Sequence, residues 1–305
     1  MKVRLIVNRG GGSTGQDEAA RLRALFEAHG LAPETVAVAP PDLEAACAEA
    51  ARAENCDVVV VAGGDGTIGT AAAALAGTGR PLGIIPMGTR NHFARDAGLP
   101  LEAEPAVAAI AAGHRRQVDL GEVNGRVFVN NSAVGLYPDM VRFRDETQAR
   151  TGRSKRLAML SAGLRALRSF RRRRLWVSAA GLEAPLRTPL LFVGNNRYRV
   201  NLMALGRREA LDGGELCLYA IRARNRLHLI GAGLRGLFGK LDQQRDFLTL
   251  YVPELEIAAN LPALTVALDG ETLTLATPLR YRIRPRALTL IAPALPPAAE
   301  PVPER

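Results

Sequence analysis

The sequence predicts a parallel α/β domain followed by an antiparallel β domain. Three observations carry this reading. Up to about residue 120, short runs of β-branched apolar residues alternate with helical stretches, the pattern of a parallel sheet layered with helices. Glycine-rich or polar turns leave the ends of these runs. From about Val118 the long helices give way to short alternating segments with turn signals, as in a sandwich or barrel.

Lys2 to Asn8 reads as the first strand and ends in the glycine turn Gly10 to Ser13. A helix follows with Leu22, Leu25 and Phe26 on one face and Gly30 past its end. Glu34 to Ala39 is the second strand, and Asp42 is placed to cap a helix that runs to about Asn55. Cys56 to Thr70 is the organising stretch. Its four consecutive valines predict a strand buried on both faces. Gly63-Gly64-Asp65-Gly66-Thr67 stops that strand, and Ala71 to Ala76 favours helix. Leu82 to Ile85 is a further buried strand, Met87 to Phe93 leaves its end, and Glu104 to Ala112 is helical. Short strands then follow at Val127–Asn130, Leu175–Ser178, Pro189–Val193, Glu215–Ile221, Phe247–Val252, Glu254–Ala258, Leu264–Leu268, Thr272–Leu275, Leu279–Ile283 and Ala287–Ile291.

Composition narrows the setting. No run approaches the ~18 to 20 apolar residues of a membrane span, and the N-terminal apolar stretch is too short for a signal peptide. The cytoplasm is the expected compartment. Cys47, Cys56 and Cys217 are three in number without metal spacing, so reduced core residues are expected. The four histidines form no zinc pattern. The formal net charge of +10 points to anionic partners.

Three polar turns, Asn8–Ser13, Gly63–Thr67 and Gly88–Asn91, leave strand ends, where open α/β sheets bind ligands. A glycine turn opening a helix suits phosphate, because N–H groups point outward and the chain can approach closely. In Thr265 to Leu275, Asp269-Gly270 between alternating apolar runs is a hairpin signal. The same turn would present two carboxylates, Asp269 and Glu271, and a hydroxyl acceptor of phosphate needs a positioned base. Asp212-Gly213-Gly214-Glu215 reads as a turn, or as oxygen donors for a hard cation.

Between Tyr137 and Trp176 lies a basic insertion, at about 139–174, running from Arg142 to Arg174. Leu157, Leu160, Leu164 and Leu167 have helical spacing there. It reads as an amphipathic helix for an anionic membrane, or as one packed on its own domain. Nucleic acid is not an expected partner, since only Phe143, Phe170 and Trp176 interleave the charges.

The motifs Gly63-Gly64-Asp65-Gly66-Thr67, Pro86-Met87-Gly88-Thr89-Arg90-Asn91-His92-Phe93-Ala94-Arg95 and Asp269-Gly270-Glu271, in this order and spacing, resemble the soluble diacylglycerol kinase catalytic family. That family includes bacterial lipid kinases and sphingosine and ceramide kinases, within the wider NAD kinase superfamily. The resemblance extends from Val3 to about Pro293. It implies a NAD kinase-like α/β nucleotide domain over residues 1–120, a β-sandwich lipid-substrate domain over 121–293 and a cleft between them. Residues 294–305 form a Pro-rich tail.

The implied activity is transfer of the γ-phosphate of ATP to a hydroxyl of diacylglycerol or a related lipid, with Mg²⁺. By the resemblance Asn8, Arg9, Gly10, Gly63, Gly64, Asp65, Gly66, Thr67, Thr89 and Asn91 hold the nucleotide. Glu271 is the base, with Asp269 beside it. Asp65 and Asp119 belong to an acidic network with magnesium, and Asp212 with Glu215 matches a structural-metal loop. The family often has Asp after Asn in the second motif, and this chain has His92. The Pro-Met-Gly-Thr-Arg-Asn stretch favours the lipid branch over a NAD kinase or other soluble-substrate kinase, and no Asn-Glu pair of the NAD kinase type is present. A non-catalytic nucleotide- or membrane-binding role is the remaining alternative. The expected partners are a lipid at a membrane surface and an anionic membrane reached through the Arg142–Arg174 segment, giving a cytoplasmic, peripherally membrane-associated protein. A homodimer is compatible with this.

Overall fold

The computed structural model describes residues 1–10, 14–151, 173–180, 182–198, 208, 210–223, 225, 227–231 and 247–294. They divide into two units, one of Met1–Gln117 with the C-terminal residues from Thr289, the other of Val118–Leu288.

The first unit alternates strand and helix: β1 (Val3–Asn8), α1 (Thr14–Ala28), β2 (Glu34–Val38), α2 (Leu43–Arg52), β3 (Val58–Gly63), α3 (Asp65–Leu75), β4 (Leu82–Pro86), α4 (His92–Asp96) and α5 (Ala103–Ala112). The order β2-β1-β3-β4 is parallel throughout. Every residue of β3 and β4 is buried, as the unbroken valine run predicts for central parallel strands. Val58, Val60 and Ala62 pack with Leu22 and Phe26 of α1 and Val107 and Ile110 of α5. Successive strand residues point to opposite faces, so Val59 and Val61 lie on the other side. Asp42 sits at the N-cap of α2 but makes no side-chain capping bond.

The second unit carries two antiparallel sheets. Its elements are the later part of β5 (Arg115–Val123), then β6 (Arg126–Phe128), β7 (Asn131–Gly135), α6 (Leu136–Thr151), β8 (Arg173–Ala179), β9 (Leu182–Thr188), β10 (Leu190–Asn195), β11 (Leu216–Ile221), β12 (Phe247–Val252), β13 (Glu254–Ala259), β14 (Ala263–Leu268), β15 (Glu271–Ala276) and most of β16 (Leu279–Ile291). One sheet has the order β12-β11-β10-β7-β14-β15. The other runs β16-β13-β8-β9, with β5 on β16 and β6 on β5. Their inner faces form one core, Val134, Val193, Leu218 and Val266 meeting Phe128, Leu175, Ile257 and Tyr281. The Tyr281 and Ser132 hydroxyls bond across that core at 2.9 Å. This is the sandwich layout expected of alternating strands.

Several elements differ from the sequence reading. Strand β9 is not among the expected strands; it contains Pro185 and lies at the sheet's edge, where proline is tolerated. The two segments read at Leu279–Ile283 and Ala287–Ile291 are one strand, β16, with Arg286 at φ +50° inside it. The last residues of β16 reach β4 through Leu290 opposite Leu82. Of the strand read as Val127–Asn130, only Val127 and Phe128 are strand, in β6, and Val129 and Asn130 form a bend before β7. Of the basic insertion, 139–151 lies in helix α6 and 173–174 begins β8, while 152–172, including the four leucines, lies outside the described residues. Among the described residues no helix is long and apolar enough to cross a membrane. The three cysteines are free and buried, and burial pushes the thiols of Cys47 and Cys217 up to about 12.

Candidate active site

In the first unit the glycine loops after β3 and β4 meet backbone to backbone. A Cβ at Gly88 would lie 2.8 Å from Gly64 Cα and 2.7 Å from Asn91 Oδ1, so position 88 admits no side chain without movement. At Gly64 a Cβ would be 3.4 Å from Gly88 Cα. Gly63 is filled from the other side by the Thr67 side chain. The Met87 N–H donates to Gly63 O at 2.9 Å and ties the loops together.

Side chains complete the arrangement. Asn8 Nδ2 donates to Thr67 Oγ1 at 2.8 Å, while Asn8 Oδ1 is buried without a partner. Helix α3 starts at Asp65 behind an extended Gly64, with no side-chain cap. Uncapped N–H groups at a helix start seek an anion. Asp65 Oδ1 accepts the Phe93 N–H at 3.3 Å, and Asn91, left-handed at φ +50°, accepts the Gly88 N–H on Oδ1 at 2.9 Å. Asparagine tolerates that conformation well. Asn8, Gly63, Gly64, Asp65, Thr67 and Asn91 are thus brought together. Arg9, Gly10, Gly66 and Thr89 stand exposed on the same loops.

The acidic residues of the second unit have different surroundings. Asp119 is 1% exposed; Oδ1 accepts the Arg286 N–H at 2.8 Å and Oδ2 the Gly214 N–H at 2.7 Å. It therefore ties β5, the 211–215 loop and β16. Asp212 is exposed, and Glu215 pairs with Arg197, whose Nη2 lies 3.3 Å from Oε2. Buried Asn196, at φ +65°, has an unpartnered Oδ1 only 2.8 Å from where a Cβ at Gly213 would sit. Among the described residues no three His, Cys, Asp or Glu side chains cluster as a metal site.

The Asp269-Gly270 turn joins β14 to β15 with positive φ at both residues, +48° and +92°, the backbone of a two-residue hairpin. The two carboxylates diverge. Asp269 points inward and accepts three backbone N–H groups: Val129 on Oδ2 at 2.8 Å, and Asn130 and Asn131 on Oδ1 at 2.8 and 3.0 Å. Burial pushes its carboxyl up to about 6, against the opposing pull of these bonds and of Arg208. Glu271 is exposed at the start of β15. Sequence reasoning missed Asn195, Asn196 and Arg208, which surround these groups. An Asn pair closing a buried strand was a readable signal; one arginine among many was not.

A protein-family model for the diacylglycerol kinase catalytic domain matches residues 2–123. A probable lipid kinase YegS-like from Pseudomonas aeruginosa is 33% identical over 254 residues, 81% of this chain and 80% of that relative. The protein of the same name from Pseudomonas syringae pv. syringae is 32% identical over 250 residues, 77% of this chain and 76% of the relative. A diacylglycerol kinase from Staphylococcus saprophyticus matches a shorter stretch, 44% identical over 106 residues, 33% of this chain and 35% of the relative. The crystal structure of a diacylglycerol kinase from Bacillus anthracis superposes with a TM-score of 0.70 at 21% identity, covering 97% of both chains, a likeness of fold. The class is therefore that of a kinase, a transferase of phosphoryl groups. The chain belongs to the diacylglycerol kinase catalytic domain family.

Proposed function

We propose that the chain is an ATP-dependent lipid kinase that transfers the γ-phosphate to a hydroxyl of diacylglycerol or a related lipid. The observation that carries this is the side-chain-free approach of Gly64 and Gly88 beside the uncapped start of α3. The residues present fit a polyphosphate: the start of α3 has no side-chain cap, and Asn8 keeps a buried oxygen without a partner. They fit Mg²⁺ in part. Magnesium is held through one or two carboxylates plus phosphate oxygens and water, and Asp65 supplies one carboxylate at the loop. Both Asp119 oxygens already accept backbone N–H groups, so Asp119 is assigned here to holding the second unit's loops. Bound magnesium would neutralise charge on the phosphates.

Glu271 is the proposed base. It is an exposed carboxylate on a hairpin whose backbone is fixed by Asp269, and it would take the hydroxyl proton as the acceptor attacks. The relatives' names support a lipid acceptor, and diacylglycerol is named among them. Peripheral membrane association goes with that acceptor, with the Arg142–Arg174 segment as the contact.

The test offers labelled ATP and Mg²⁺ with diacylglycerol, monoacylglycerol, ceramide, sphingosine and phosphatidylglycerol in mixed micelles, and NAD in solution. A labelled lipid product supports the proposal and names the acceptor. Label on NAD alone would move the protein to a soluble substrate. Nucleotide binding without any product would leave a binding role.

A further inference from the structure

The segment Val129–Asn131, which leads from β6 into the first residue of β7, has every main-chain polar group bound. Its three N–H groups go to the Asp269 carboxylate. The Val129 carbonyl accepts Arg208 Nη1 at 2.6 Å and Asn195 Nδ2 at 3.0 Å. The Asn130 carbonyl accepts the Tyr198 hydroxyl at 3.0 Å and the Asn195 N–H at 2.9 Å. The Asn131 carbonyl accepts the Asp269 N–H at 2.9 Å. Arg208 Nη2 adds a bond to Asn130 Oδ1 at 3.1 Å, and its guanidinium lies 5.7 Å from the Tyr198 ring centroid.

Arg208 is only 7% exposed. A buried guanidinium persists where hydrogen bonds and an opposite charge satisfy it. Here it donates to Val129 and Asn130, two of the three residues whose N–H groups the Asp269 carboxylate accepts, so cation and anion hold the same short segment. Asp269 is also the first residue of the turn that delivers Glu271, and Leu268 opposite Glu271 closes the hairpin. Nothing else in the described structure holds the Glu271 side chain itself. Its placement depends on the turn, which the β14–β15 ladder closes and this grip anchors to the Val129–Asn131 segment.

We propose that Arg208 is a positioning residue for Glu271, acting through the Val129–Asn131 segment that it and the Asp269 carboxylate hold together. The inference rests on Glu271 being the base. Misplacing a general base lowers the chemical step while leaving nucleotide binding in place, because the donor loops belong to the other unit.

The experiment is a double-mutant cycle on the full chain with ATP, Mg²⁺ and diacylglycerol in mixed micelles. Arg208→Met is expected to lower kcat by ~10- to 10²-fold with KM for ATP within about two-fold. In a Glu271→Ala background the same substitution is expected to change the residual rate by less than about two-fold, since no base remains to be placed. An equal loss in both backgrounds would overturn the proposal, marking Arg208 as a general support of the fold. So would an unchanged kcat in the wild-type background. Near-normal turnover of Glu271→Ala alone would instead remove the base, and both readings would fall together. Arg208→Lys covers the case where Arg208→Met does not fold. It keeps the charge but loses the two-pronged grip, and a ~5- to 10-fold fall in kcat with an unchanged thermal melt is expected. Failure of both variants to fold would also overturn the proposal.

Discussion

Replacing Gly88 by alanine adds one carbon where the structure has no room. That carbon would lie 2.8 Å from Gly64 Cα and 2.7 Å from Asn91 Oδ1. Carbon atoms rest at ~3.5–4.0 Å, so the loops must part by roughly 0.7 Å or more. Asn91 cannot yield freely, because its Oδ1 holds the Gly88 N–H. Overpacking of this kind costs about 1–3 kcal/mol, and a lost hydrogen bond about 1 kcal/mol more. Gly64→Ala differs in a useful way. Its Cβ would be 3.4 Å from Gly88 Cα, and Gly64 has φ −88°, open to any residue. Thermal melts and titration with ATP separate the two effects. Gly88→Ala is expected to lower Tm by several degrees, at about 2–4 °C per kcal/mol, and to weaken ATP binding at least ~10-fold. Gly64→Ala should leave Tm nearly unchanged yet weaken ATP binding, because its methyl would occupy the approach of a phosphate to the backbone. Unchanged ATP affinity in both variants would refute the assignment of this loop pair to the nucleotide. An unchanged melt for Gly88→Ala would refute the steric argument.

Glu271→Ala should lower kcat by at least ~10²-fold while ATP binding is retained, and near-normal turnover would exclude it as the base. Asp65→Ala should instead weaken ATP binding itself, measured by calorimetry with Mg²⁺ present. Asp269 gives a pH dependence. Its folded value of about 6 stands above the ordinary 3.8, so the folded chain holds the proton more tightly than the unfolded one. The stability it contributes is full below about pH 4 and is lost as pH rises through 6, an interval worth about 3 kcal/mol. The lead of the wild type over Asp269→Asn in urea unfolding, followed by Trp176, should therefore shrink from pH 4 to 7; a lead that grows would mean that the three N–H bonds outweigh burial. Finally, the chain should sediment with anionic vesicles and be released by high salt, since each basic residue near such a surface adds on the order of 1 kcal/mol. Equal sedimentation on neutral vesicles would contradict this.

Legibility in the sequence followed the range of the interactions. The valine run named β3 and its burial because a strand covered on both faces needs nothing but apolar residues. Asp269-Gly270 named its hairpin because the backbone conformation at both positions restricts the residues that can adopt it. Partners 138 to 140 residues apart, such as Asp269 and Val129–Asn131, leave no local mark. The same holds for Asp119 and Gly214, 95 residues apart. Strand β9 was hidden because Pro185 is a breaker in a central strand but harmless on an edge, and the sequence does not say which strand will be the edge.

The site's acidic residues are sorted by what faces their oxygens. The sequence reading gives Asp65, Asp119, Asp212, Asp269 and Glu271 each a part in catalysis or in metal binding. A carboxylate removed from water must find donors or cations, or give up its charge. Asp119 and Asp269 found backbone N–H groups, two and three respectively, so their negative charge is spent on holding loops that come from distant parts of the chain. Asp65 has a single long bond, and Glu271 lies exposed on the turn. Chemistry needs a carboxylate whose oxygens can exchange partners during turnover, and the last two are the ones with that freedom. The N–H-bound pair supplies the complement, and Asp269 fixes the turn on which Glu271, the proposed base, stands. This division explains how one Asp-Gly-Glu turn can carry two acids three positions wide with opposite tasks: the first fixes the turn, and the second is delivered by it.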